Sequence, residues 1–115
     1  MVKGPEAVDV DAVFHALAHD ARRDMLGRLA GGQLTISQLA EPLAMSFAAA
    51  SKHVKVLERA GLIHRSVHGR RHFCRLEPRP LATAHQWLRF YEQFWSERLD
   101  ALETLFQRGP TSEED

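Results

Sequence analysis

Between Thr35 and Arg75 the chain reads TISQLAEPLAMSFAAASKHVKVLERAGLIHRSVHGRRHFCR, and local signals leave little choice of what this stretch can fold into. Thr35-Ile36-Ser37-Gln38 is a capping box, in which the Thr hydroxyl and the Gln side chain each satisfy a backbone N–H that a helix start leaves orphaned. Ile36, Leu39, Ala40 and Leu43 supply that helix with a buried face. Pro42 keeps it short and distorts its end. After Ala44-Met45, Ser46 is an N-cap for a longer helix. Its Ala50, Val54 and Leu57 fall on one face, and Ser51, Lys52, Lys55 and Arg59 lie away from it. Gly61 closes this helix. Two β-prone runs follow, Leu62–Val67 and Arg70–Leu76, joined through His68-Gly69 in a hairpin with a basic tip.

Net charge is zero over 115 residues, which by itself points to no polyanionic partner. The distribution reverses that impression. From Ser46 to Arg79 the cations are Lys52, Lys55, Arg59, Arg65, Arg70, Arg71, Arg75 and Arg79, against Glu58 and Glu77 alone, an excess of six (eight minus two) with four histidines besides. The balancing acids lie near the two ends of the chain. Local potential rather than total charge attracts a polyanion. Small side chains at Ala48 and Ala49 allow the start of the basic helix to enter a groove about 12 Å wide.

The remaining segments divide simply. Residues 1–8, with Gly4 and Pro5, are expected to form a flexible arm, residues 9–107 a single folded domain, and residues 108–115 a disordered acidic tail. Asp9 caps a first helix carrying Val10, Val13, Phe14 and Leu17. Asp20 is the expected cap of a second, which carries Met25, Leu26 and Leu29 and ends at Gly31-Gly32. A last helix runs from Pro80 to about Gln107 with two apolar series. One is Leu81, Ala84, Leu88, Tyr91, Trp95, Leu99, Leu102 and Phe106; the other is Trp87, Phe90 and Phe94. One stripe suffices to seat a surface helix. Two therefore imply two buried contacts, one with the body of the domain and one with a second copy of the chain. A chain this short also gains from burying surface against a partner. There is no apolar run of the roughly 20 residues that span a bilayer and no signal-peptide core, and a lone Cys74 fits a reducing compartment. The expected location is the cytoplasm.

In order the elements are α-α-α-α-β-β-α, mainly helical with a small β-hairpin wing, the arrangement of a winged helix-turn-helix. Phe14-His15-Ala16-Leu17-Ala18, Ala21-Arg22-Arg23, Gln38-Leu39-Ala40, Met45-Ser46, the run Ser51 to Ile63, Gly69-Arg70-Arg71, and Trp87-Leu88 through Trp95 resemble the ArsR/SmtB-type bacterial repressors. Within that family the chain is most similar to the branch lacking the usual metal sites. The resemblance implies a homodimer joined through the first and last helices, with Val13, Leu88, Tyr91, Trp95, Leu99 and Leu102 at the interface. It also implies a double-stranded operator read by Ser46, Phe47, Ala48, Ser51, Lys52, His53 and Lys55, with Arg70 and Arg71 along the flanking backbone. Phe47-Ala48 departs from the commoner Gln-Pro of that family. A Gln reads an adenine edge through two hydrogen bonds, whereas Phe offers only apolar contact, such as to a thymine methyl.

Other chemistries fit less well. The third helix carries Ser37, Gln38 and Leu39 and the last helix a single His85, where metal-sensing relatives have cysteines or paired histidines and acids. His15 and His19 stand four apart, and His64, His68, His72 and Cys74 lie on the hairpin, but zinc usually takes three or four protein ligands in a defined geometry. No metal and no cofactor is expected. Cys74 at a strand position reads as a packing residue. No phosphate-binding glycine loop, nucleophile elbow or carboxylate pair points to an enzyme. A metal- or redox-responsive repressor using these histidines or Cys74, and a winged helix turned to binding protein, stand as alternatives; Lys52, Lys55, Arg70 and Arg71 count against the last.

Overall fold

A computed structural model describes the backbone of residues 7–114 and the side chains of residues 7–107. Most of the expected arm and the side chains of the expected tail lie outside that range. The elements are α1 (Val10–Leu17), α2 (Asp20–Leu29), β1 (Leu34–Thr35), α3 (Ile36–Ala40), a 3-10 turn (Glu41–Leu43), α4 (Phe47–Arg59), β2 (Ile63–His68), β3 (Arg71–Leu76) and α5 (Arg79–Glu114). Contacts divide the chain into one compact unit ending at Ala84 and another beginning at His85. No described helix is long and apolar enough to cross a membrane.

The caps largely follow the sequence signals. Thr35 Oγ1 accepts from Gln38 N–H at 3.1 Å, and Gln38 Oε1 accepts from Thr35 N–H at 2.8 Å, completing the capping box. Asp9 accepts from Ala12 N–H, and Ser46 Oγ from Ala49 N–H at 3.1 Å. At the end of α4, Gly61 takes φ 78°. Its N–H bonds Glu58 O and that of Leu62 bonds Leu57 O, a Schellman closure sealed by fully buried Leu62. Pro42 opens the 3-10 turn rather than interrupting α3, and Ala44, at φ 53°, redirects the chain into α4. One cap differs from expectation. His19, not Asp20, precedes α2, its Nδ1 accepting from Ala21 N–H at 3.1 Å. An imidazole nitrogen that accepts there has no proton to offer the Asp20 carboxylate 3.3 Å away.

Val13 and Ala16 of α1, Met25, Leu26 and Leu29 of α2, Ile36 and Leu39 of α3, and Ala50, Val54 and Leu57 of α4 form one core with Leu62, Ile63, Cys74 and Ala84. β1 is an element the sequence did not disclose. It pairs antiparallel with β3, Leu34 opposite Cys74 and Thr35 opposite Phe73, so the hairpin becomes a three-stranded sheet of order β1-β3-β2. Two residues carry no periodicity, and their pairing is decided across the intervening chain. The central position of β3 buries Cys74 completely.

At its start α5 makes the expected contact with the body of the domain. Ala84 is buried and Leu81 packs against the core, but from Trp87 to Phe106 both apolar series are exposed in the single chain. The helix also continues to Glu114, past the end near Gln107 read from the sequence.

Candidate nucleic-acid interface

α4 divides cleanly into two faces. Ala50, Val54 and Leu57 are fully buried, which fixes the helix on the core. Ala48, Lys52, Lys55 and Arg59, spaced by four, three and four, make an exposed stripe on the other side. Ser46 and Phe47 at its start are exposed, and Ser51 is half-buried. Short side chains thus lead into a row of cations.

His53, placed in that row by the family resemblance, is half-buried and leans against α2. Its Nδ1 lies 3.3 Å from Arg22 Nη1 and its ring 4.5 Å from that of His19. A guanidinium only donates, so Nδ1 accepts and the imidazole is neutral. Burial lowers the His53 pKa, with His19 and Arg22 pushing the same way and Asp20 opposing. Arg22 is itself 9% exposed and donates to the carbonyls of Ala16 at 2.6 Å and His15 at 3.1 Å. Its charge is met by the negative end of α1 rather than by a carboxylate. Arg23 donates to Leu17 O, and Arg28 to Gln38 O and Leu39 O, so three arginines of α2 hold the C-terminal ends of α1 and α3. These roles had no sequence signal, because the acceptors are backbone carbonyls of other elements.

The wing is a two-residue hairpin, with His68 opposite Arg71 and Gly69-Arg70 between them. Gly69 has φ 66° and Arg70 does not share the positive φ, the pattern of a type II′ turn. This geometry leaves Arg70 exposed at the tip. Arg71 lies over the Phe73 ring, 5.2 Å from its centroid, a contact that orients the guanidinium without neutralising it. The two acids of this basic segment are already engaged. Glu58 binds Arg65 at 2.7 Å and Glu77 binds His64 at 3.0 Å. Lys52, Lys55, Arg59, Arg70, Arg71, Arg75 and Arg79 therefore remain as the exposed positive surface. Arg70, Arg71 and His72 face Phe47 and the start of α3, residues 35–38, across a cleft of about 290 Å³.

The hairpin's histidines and thiol are otherwise occupied. His68 packs edge-on against Phe73, and His72 Nδ1 accepts from Arg65 at 3.3 Å. Among the described residues no three His, Cys, Asp or Glu side chains converge as metal ligands would. Cys74 is fully buried, and burial pushes its thiol pKa up. Reactive thiols are exposed and shifted the other way.

Of the residues expected at a subunit contact, Leu88, Tyr91, Trp95, Leu99 and Leu102 are exposed on α5, all at 36% or more. Val13 is 0% exposed and sits inside the core of its own chain. It has no surface to offer a partner.

Residues 17–66, which span α2 to β2, match the model of a helix-turn-helix domain family. The chain is similar to the HTH-type transcriptional regulator Rv2034 of Mycobacterium tuberculosis, 37% identical over 89 residues that cover 77% of this chain and 80% of the relative. It is also similar to an ArsR family transcriptional regulator of known crystal structure, 36% identical with a TM-score of 0.70, covering 76% of this chain and 96% of the other. The chain belongs to the ArsR family of transcriptional regulators. The homodimeric winged helix-turn-helix DNA-binding domain Mb0332 of Mycobacterium bovis, 24% identical with a TM-score of 0.57 over 80% of this chain and 82% of that one, shares the fold. As an ArsR family member the protein is a transcriptional regulator with a helix-turn-helix DNA-binding domain, a class that works by binding rather than by catalysis.

Proposed function

We propose that the protein is a homodimeric, sequence-specific repressor that occupies a pseudo-palindromic operator, in its own upstream DNA among other sites, and blocks polymerase there. The observation that carries this reading is the exposed stripe of Ala48, Lys52, Lys55 and Arg59 on α4, beside a wing tip bearing Arg70 and Arg71. Ser46, Phe47, Ala48, Ser51, Lys52 and Lys55 meet the major groove, and Arg70 and Arg71 meet the phosphates that flank it. His53 supports this face from behind through Arg22.

The partner is a second copy. Ten large apolar side chains of α5 between Trp87 and Phe106 are exposed. A row of this length on one helix costs far more in water than a scattered few. Mb0332, which shares the fold, is described as homodimeric. Pairing through Leu88, Tyr91, Trp95, Leu99 and Leu102 sets two recognition helices one helical turn apart on DNA, roughly 34 Å. Such a regulator acts in the compartment that holds the DNA, the cytoplasm in a bacterium.

Fluorescence anisotropy against the upstream duplex and a scrambled duplex of equal length, at two salt concentrations, tests the reading. The expected result is salt-sensitive binding with a preference of about 10³-fold or more. Weak and equal binding to both removes the operator reading. Ser51→Ala and Lys52→Ala are expected to narrow the gap between the two duplexes; equal loss on both assigns these side chains to the backbone.

A further inference from the structure

Outside α5, the exposed large apolar side chains among the described residues are Phe47 and Val67, and both lie on the elements proposed to face DNA. Phe47 is the first residue of α4 and 51% exposed. A half-exposed Phe keeps a large apolar area in water, and a partner that covers it gains that area as binding energy. The core does not need it, since Ala50, Val54 and Leu57 already seat the helix.

Resting on the repressor reading, we infer that Phe47 is a specificity-determining residue that reads the C5-methyl group of a thymine in each half-site. The first residues of a recognition helix are the ones that reach base edges. Phenylalanine has no donor or acceptor. Of the groups displayed in the major groove, the thymine methyl is the apolar one; the other edges present donors and acceptors that would lose their water against a ring and gain nothing. Phe47 thereby selects for thymine and against guanine or cytosine at the same position. Phe47 reaches farther than Ala48 and Ala49, and the Ser46 Oγ beside it accepts from Ala49 N–H. Arg70 and Arg71 line the same cleft and supply charge for the phosphates beside that base.

Replacing thymines one at a time by deoxyuridine in the upstream duplex deletes the methyl and nothing else. For the full-length protein, one position per half-site is expected to lose roughly four-fold in affinity, the worth of one buried methyl. Phe47→Ala is expected to bind the thymine and deoxyuridine duplexes equally, and Phe47→Leu to restore the difference. Equal binding of both by the unmodified protein at every position, with the preference over scrambled DNA intact, overturns the inference and leaves the repressor reading standing. So does a methyl effect that survives in Phe47→Ala. No preference over scrambled DNA overturns both.

Discussion

Arg22 and Arg70 carry the same charge and do opposite work. Arg22 is nearly buried, with its nitrogens aimed at Ala16 O, His15 O and His53 Nδ1. Replacing it with Met keeps some of the volume but leaves two helix-terminal carbonyls and one ring nitrogen without their donor. Each unmatched buried group costs about 1–3 kcal/mol. Arg22→Met is therefore expected to lower unfolding free energy by about 2–4 kcal/mol in urea titration, and Arg22→Lys to recover only part of this because an ammonium lacks the planar fork. Arg70 sits exposed at the tip of a type II′ turn with no role in the core. Arg70→Ala is expected to leave the urea midpoint unchanged, weaken binding to all duplexes, and reduce the slope of log affinity against log salt by about one. An unchanged slope removes Arg70 from the phosphate contacts. A composition count treats these two arginines alike; burial separates them.

At the scale of elements, α4 is seated by its apolar face and by the His53 contact with α2. Burial, His19 and Arg22 all favour neutral His53 in the folded state, against Asp20. The folded pKa lies below the ordinary value near 6.5, so the unfolded chain binds the proton first. The resulting stability is fully present above that value and lost as pH falls through the folded pKa. The urea midpoint is expected to drop as pH falls below about 6.5, and His53→Asn, which keeps an acceptor for Arg22, to flatten that part of the profile. A profile identical in the two proteins assigns the acid sensitivity elsewhere. The wing illustrates how much of such an element is visible beforehand. Gly69 between two β-prone runs marks the turn, and the type follows from one positive φ. The third strand, Leu34-Thr35, was hidden because two residues have no pattern and its partner, β3, is distant in sequence.

Over the whole molecule, positive charge gathers between Ser46 and Arg79 and exposed apolar surface on α5. In the proposed function the first property serves DNA and the second a partner subunit, so the two are separable by mutation. Trp95→Asp is expected to convert the dimer to a smaller species in light scattering and to abolish operator binding, while circular dichroism retains the signal of the helices in the unit that ends at Ala84. Leu102→Asp, farther along α5, is expected to do the same. A Trp95→Asp protein that remains dimeric moves the interface off this face. Val13 has no part in that test, being enclosed in its own core.

What the sequence determined by itself was everything settled within a few residues. The capping box at Thr35, the Ser46 cap, the Gly61 closure and the hairpin at Gly69 are short-range hydrogen-bonding and backbone choices, and the buried faces of α2, α3 and α4 follow from helical spacing. These suffice for the order of the helices and the hairpin, though not for β1, and for the row of cations on α4. The tertiary structure alone decided what depends on neighbours distant in the chain: the pairing of β1 with β3, the contact of His53 with α2, the capping of α1 and α3 by the arginines of α2, and the enclosure of Val13. Periodicity tells which side of a helix is apolar. Only packing tells whether that side meets the chain's own core or is left for another molecule.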